Sequence, residues 1–79
     1  MNTKDIIELE NNEYMIISKI TFENNIYYYL VDVRKNNNIK YCKEENGELE
    51  EIIDKDFIQK LLPIFSDQIM NEMRNYFEN

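Results

Sequence analysis

The sequence predicts an α+β domain: an antiparallel meander of four strands, or five if residues 5–9 also pair, with one or two C-terminal helices packed on one face. Three observations predict it. Two apolar runs between Tyr14 and Arg34 are separated only by Glu23-Asn24-Asn25. An Asn46-Gly47 dipeptide, a strong two-residue hairpin turn signal, divides two further short runs. Beyond Asp54 the apolar residues recur at three and four instead of two.

The first segment, Asp5-Ile6-Ile7-Glu8-Leu9, alternates Ile7 and Leu9 with charges and reads either as a short edge strand or as an amphipathic turn. The central hairpin follows. A turn at Asn24-Asn25, where asparagine tolerates positive φ, sets Phe22 opposite Tyr27, Ile20 opposite Tyr29, Ser18 opposite Val31 and Ile16 opposite Val33. Side chains alternate along a strand, so these eight share one face, and only Ser18 among them is polar. The opposite face, with Lys19, Thr21, Ile17 and Met15 against Tyr28, Leu30 and Asp32, is mixed and is expected to meet water. Tyr27 and Tyr29 fall on the apolar face, so the run of three tyrosines reads as packing and not as a stacking platform for bases.

Lys35-Asn36-Asn37-Asn38 is a turn. A third strand, Ile39 to Glu44, alternates Ile39 and Tyr41 with Lys40 and Cys42, and needs a bulge or an odd loop count to put Ile39 and Tyr41 on the apolar face. The fourth strand, Glu48 to Ile53, returns from the Asn46-Gly47 turn with Ile52 opposite Tyr41. Phe57, Ile58, Leu61, Leu62 and Phe65 then form a helical stripe that Asp54 can cap, with Asp56 in the first turn suiting the helix dipole. Pro63 is expected to end or kink that helix, and Ser66 to cap a second one carrying Ile69, Met70, Met73, Tyr76 and Phe77. The sheet then occupies about residues 5–53 and the helices about 55–78 of a single domain of 79 residues.

The composition narrows the function. At 43% hydrophobic and 32% charged the chain suits a soluble globule. No apolar run approaches the roughly 20 residues of a membrane helix, and the polar Met1-Asn2-Thr3-Lys4-Asp5 start carries no signal-peptide core, so a cytoplasmic location is expected. A net charge of −7 lacks the basic footprint of a nucleic-acid binder and points instead to protein partners with basic surfaces. There is no histidine, one cysteine and one glycine. That leaves no imidazole base, no activated thiol at Cys42, no cysteine cage for zinc and no glycine-rich phosphate loop. Neither Asp54 with Asp56 nor Glu50 with Glu51 carries a sign of an acid–base pair, and no calcium-loop pattern is present. We therefore expect no enzyme, no metal and no cofactor.

What stands out is acidic clustering. Glu44, Glu45, Glu48, Glu50, Glu51, Asp54 and Asp56 are opposed only by Lys55 between positions 44 and 56. These seven carboxylates either present negative charge to a basic groove, as nucleic-acid mimics do, or guard a solvated hairpin edge against strand addition. A second candidate surface, a partner or homodimer seam, is the left-over helical stripe of Ile69, Met73, Tyr76 and Phe77.

The run Ile17-Ser18-Lys19-Ile20-Thr21-Phe22-Glu23-Asn24-Asn25-Ile26-Tyr27-Tyr28-Tyr29-Leu30-Val31-Asp32-Val33, with Glu45-Asn46-Gly47-Glu48-Leu49-Glu50-Glu51-Ile52 and Asp54 to Phe57 after it, resembles an uncharacterised bacterial family, domain of unknown function 1292. The resemblance covers about residues 13 to 62 and implies no activity and no site residues. In size and charge alone the chain is also similar to phage-encoded inhibitors of the anti-CRISPR kind. The leading expectation is thus a non-enzymatic acidic module that occupies a basic partner surface. The alternatives are a binder of small ligands such as nucleotides, with tyrosines lining a pocket, and a housekeeping homodimer.

Overall fold

A computed structural model describes residues 1–77, and the side-chain surroundings of residues 1–75. Five strands precede one helix: β1 (Ile6–Leu9), β2 (Asn12–Phe22), β3 (Asn25–Asp32), β4 (Ile39–Glu45), β5 (Glu48–Glu51) and α1 (Lys55–Phe77). The strands form one antiparallel meander in the order β1-β2-β3-β4-β5, so residues 6–9 do pair and supply the fifth strand.

Three of the four connections are two-residue turns with both central residues at positive φ: Glu10-Asn11 (51°, 67°), Glu23-Asn24 (50°, 67°) and Asn46-Gly47 (54°, 82°). That is the geometry whose twist matches paired strands. The central turn therefore sits one residue earlier than Asn24-Asn25. Phe22 faces Asn25, Ile20 faces Tyr27 and Ser18 faces Tyr29. This differs from the expected register by one whole pair of residues, so the faces of Ile20, Phe22, Tyr27 and Tyr29 are unchanged.

A β-bulge between Ile16 and Ser18 changes the other half of the hairpin. One extra residue on β2 turns Ile16 and Tyr14 to the face of Leu30 and Asp32, opposite to Ser18 and Ile20. The expected Ser18–Val31 and Ile16–Val33 pairs are not formed, and Val33 is exposed instead of sealed beneath helix.

Both faces of the sheet are consequently buried, by different means. On one, Ile20 and Tyr27 pack with Leu61 and Phe65 of α1, and Phe22, Tyr29, Tyr41, Ile52, Phe57 and Ile64 surround them. Tyr27 and Phe57 have ring centroids 5.5 Å apart, and Tyr29 lies edge-on to Phe65 at 5.8 Å. Aromatic pairs of this kind contribute about 0.5–1.5 kcal/mol each beyond area burial. Ser18 is also fully buried, and its hydroxyl finds no hydrogen-bond partner among the described residues.

On the other face, which was expected to meet water, Tyr14, Ile16, Tyr28, Leu30 and Cys42 are all buried with no helix over them. Ile7 and Leu9 from one edge strand and Leu49 from the other pack on the same cluster, so the sheet curls around its own side chains. Lys40 closes the curl: its ammonium lies 3.0 Å from Glu51 on β5 and 3.7 Å from Glu10 in the first turn.

The helix is also a correction. Pro63 neither ends nor divides it, and α1 runs unbroken from Lys55 to Phe77 with Ser66 in its interior instead of capping a second helix. Pro63 and Gln59, whose carbonyl the missing N–H would have met, are both exposed, so water can serve that carbonyl. Phe57, Leu61 and Phe65 lie on one face before and after the proline, and their burial holds both segments against the sheet.

Candidate functional site

In a meander, turns after alternate strands fall at the same end of the sheet. The β2–β3 and β4–β5 turns therefore share one end, and Phe57 packing on Phe22 and Tyr27 brings the start of α1 there too. Most of the acidic cluster is gathered at this end, but its seven carboxylates separate into two groups.

Three are engaged internally. Glu44 accepts a hydrogen bond of 2.8 Å from the Tyr28 hydroxyl, and burial together with that carboxylate pushes the phenol up to about 12. Glu51 accepts from the Lys40 ammonium at 3.0 Å, the main cause of the raised pKa of that lysine. Asp54 caps α1 as expected, its Oδ1 accepting from the backbone N–H groups of Asp56 (3.0 Å) and Phe57 (3.4 Å).

Glu45, Glu48, Glu50 and Asp56 are exposed, and among the described residues none of their carboxylates takes part in a hydrogen bond or ion pair. Glu45 stands directly opposite Glu48, and Glu50 opposite Lys43. Strand alternation puts Glu45, Glu48 and Glu50 on the helix-covered side of the sheet. Glu23 belongs with them. It lies in the β2–β3 turn and is exposed, but it is remote in sequence from the 44–56 run, and only the strand order reveals it.

The opposite end differs in character. Asp32 is buried and organises the β3–β4 loop: its Oδ1 accepts from the N–H of Arg34 (2.8 Å) and Lys35 (3.3 Å), and its Oδ2 from the Asn38 amide (3.0 Å). The Arg34 N–H first, then the Asn38 amide, hold its carboxyl below the usual carboxylate range. Beside it lies a polar crevice of about 430 Å³ whose walls include Glu8, Glu13, Arg34 and Lys35.

Among the described residues, Tyr14, Tyr27 and Tyr28 are buried in packing, and Tyr29 borders the apolar groove beside α1. Of the expected helical seam, Ile69 is half-buried and Met73 exposed, while the side chains of Tyr76 and Phe77 lie outside those described. Cys42 is buried, and burial pushes its thiol up to about 11, the opposite of activation. Among the described residues no three Cys, Asp or Glu side chains converge to hold a metal ion, and no helix is long and apolar enough to cross a membrane.

No family model matches the chain, and neither the curated proteins nor the solved structures contain a match. Function has to be read from the residues themselves.

Proposed function

We propose that this chain is a non-enzymatic protein-binding module whose acidic end occupies a basic surface of a partner. The carrying observation is the pair at the hairpin tip. Glu45 and Glu48 face each other across the ladder, where like charges destabilise and an opposite pair would stabilise. Glu23, Glu50 and Asp56 add uncommitted charge at the same end, and Glu44, Glu51 and Asp54 add charge that the fold already uses. A basic surface within a Debye length, about 8 Å at physiological salt, is drawn to such an end and neutralises it. A groove that otherwise takes nucleic-acid phosphates has the required chemistry, and an inhibitor of a nucleic-acid-handling complex is the narrowest form of this reading.

Two variants test it. With the chain as bait, the triple substitution Glu45→Gln, Glu48→Gln and Glu50→Gln should release basic partners that the wild type holds at low salt. Capture indifferent to both the substitutions and salt would sink the proposal. Glu48→Lys should raise stability by about 0.2–1 kcal/mol, by pairing with Glu45, while abolishing capture. Opposite effects on stability and binding separate the role of the carboxylates from their effect on folding.

A further inference from the structure

At the end of the sheet away from the acidic tip, two segments of opposite charge meet. The β1–β2 hairpin supplies Glu8 and Glu13, which stand directly across the ladder from each other, with Asn11 and Asn12 beside them. The β3–β4 loop supplies Arg34 and Lys35. Both sets line the crevice of about 430 Å³, a volume within the roughly 300–1,000 Å³ of small-molecule sites. Every described residue of its lining is polar or charged, so its occupant must be polar as well.

We propose that this crevice binds a free α-amino acid with a polar side chain, its ammonium between Glu8 and Glu13 and its carboxylate on Arg34 and Lys35. The two walls are held apart. Among the described residues no ion pair joins either glutamate to Arg34 or Lys35, although all four border one crevice. Nor does any of these four side chains, or the amides of Asn11 and Asn12, take part in a hydrogen bond there. Glu8 and Glu13 repel each other across the ladder, and a cationic group between them removes that cost. A ligand of one charge satisfies one wall and is repelled by the other. A ligand with both charges satisfies both. The Arg34 guanidinium suits a carboxylate bidentately, and the two asparagine amides offer donors and acceptors to a side-chain amide.

The loop that carries the basic wall is fixed in advance. Asp32 is 4% exposed, and its carboxylate accepts from the N–H groups of Arg34 and Lys35 and from the Asn38 amide. That amide also donates to the hydroxyl of the fully buried Tyr14 at 3.1 Å. The N–H of Val33 meets the carbonyl of Glu13 at 3.0 Å, which ties the basic wall to the acidic one. A site whose walls are braced in this way loses little affinity to ordering its backbone. The inference is independent of the acidic-end reading, because Glu45, Glu48 and Glu50 lie at the other end of the sheet.

Titration of the isotope-labelled full chain with L-glutamine, followed by amide NMR, tests the site. Saturable shifts should appear at Asn11, Asn12, Arg34 and Lys35 and not at the Asn46-Gly47 turn. Arg34→Gln and Glu13→Gln should each weaken binding by about tenfold or more. Both side chains are exposed, and circular dichroism checks that each variant is folded. Two relatives of the probe match the two variants. Glutamine methyl ester, without the carboxylate, should bind about tenfold or more weaker than glutamine, and Arg34→Gln should weaken it no further. N-acetylglutamine, without the ammonium, should bind weaker by a similar factor, and Glu13→Gln should weaken it no further. No saturable shift with glutamine would overturn the proposal. So would affinity unchanged in both variants, or equal binding of glutamine and its two relatives. Saturation of the same amides by inorganic phosphate alone or putrescine alone, as tightly as by glutamine, would also overturn it and assign a ligand of one charge.

Discussion

Glu10 and Glu23 occupy the first central position of two-residue turns at φ of 51° and 50°, in the left-handed region that favours asparagine or glycine. At the third such turn Asn46 fills the equivalent place at 54°. A longer acidic side chain there carries strain that asparagine relieves by tolerating this conformation. Glu23→Asn should raise stability by about 0.5–1 kcal/mol in urea denaturation, with the denaturant slope unchanged, and Glu10→Asn by less, since it also gives up the exposed ion pair with Lys40. No gain at either site would mean that the turns are held by their strands and not limited by local propensity. Glu23 also belongs to the acidic end, so Glu23→Asn should weaken partner capture while Glu10→Asn, at the other end of the sheet, should leave it intact. Both turns lie between runs of good strand formers, which fixed their neighbourhood. The choice between Glu23-Asn24 and Asn24-Asn25 was not legible, because either dipeptide closes a hairpin with the same faces aligned.

At the scale of elements, two local signals were overruled by packing. Pro63 breaks a helix when nothing else holds its two sides together, but here Leu61 before it and Phe65 after it are both buried against β2 and β3 side chains. Their burial outweighs one lost backbone hydrogen bond. Pro63→Ala restores an N–H donor for the Gln59 carbonyl and should stabilise the fold by about 1–3 kcal/mol, read from the denaturation midpoint. A fall in stability would show that the ring itself packs in a way alanine cannot replace. The second signal is the strand pattern from Tyr14 to Phe22, whose even-numbered residues read as one face. The bulge next to Ile17 splits that set between two cores. Nothing in an apolar run marks where an extra residue will sit, since Ile17 suits a regular strand as well as a bulge. Tyr28, which alternation correctly turned away from the helix, thus finds a second core instead of solvent.

For the molecule as a whole, burial on both faces of the sheet makes stability fall at high pH. Burial raises Tyr28 to about 12 and Cys42 to about 11, and also raises Tyr41. Each of these groups favours folding while neutral. Their contributions are complete below the ordinary values, about 8.5 for cysteine and 10 for tyrosine, and are lost as pH rises through the folded values. Lys40 acts in the same direction. Its raised pKa favours the charged form in the fold, so its contribution is complete below about 10.4 and disappears above the raised value. The melting temperature should therefore fall steeply between about pH 9 and about pH 12. Tyrosinate absorbance should show Tyr28 among the last to ionise, and Tyr28→Phe should remove part of the fall. A melting temperature flat to pH 12 would contradict the burial of these groups. Asp32 works at the acid end: its lowered pKa contributes stability above the ordinary carboxylate range, lost as pH falls through the folded value.

By itself the sequence determined the α+β class, the meander, the Asp54 cap, the apolar side of the first helical turns and the acidic run, because each follows from neighbours within a few residues. The tertiary structure alone decided that Glu44, Glu51 and Asp54 serve the fold while Glu45, Glu48, Glu50 and Asp56 stay uncommitted, and that Glu23 joins them. It also decided that the sheet has two cores and the helix is continuous. These outcomes depend on residues far apart in the chain meeting across a curled sheet, and local periodicity carries no record of which distant partner a side chain will find.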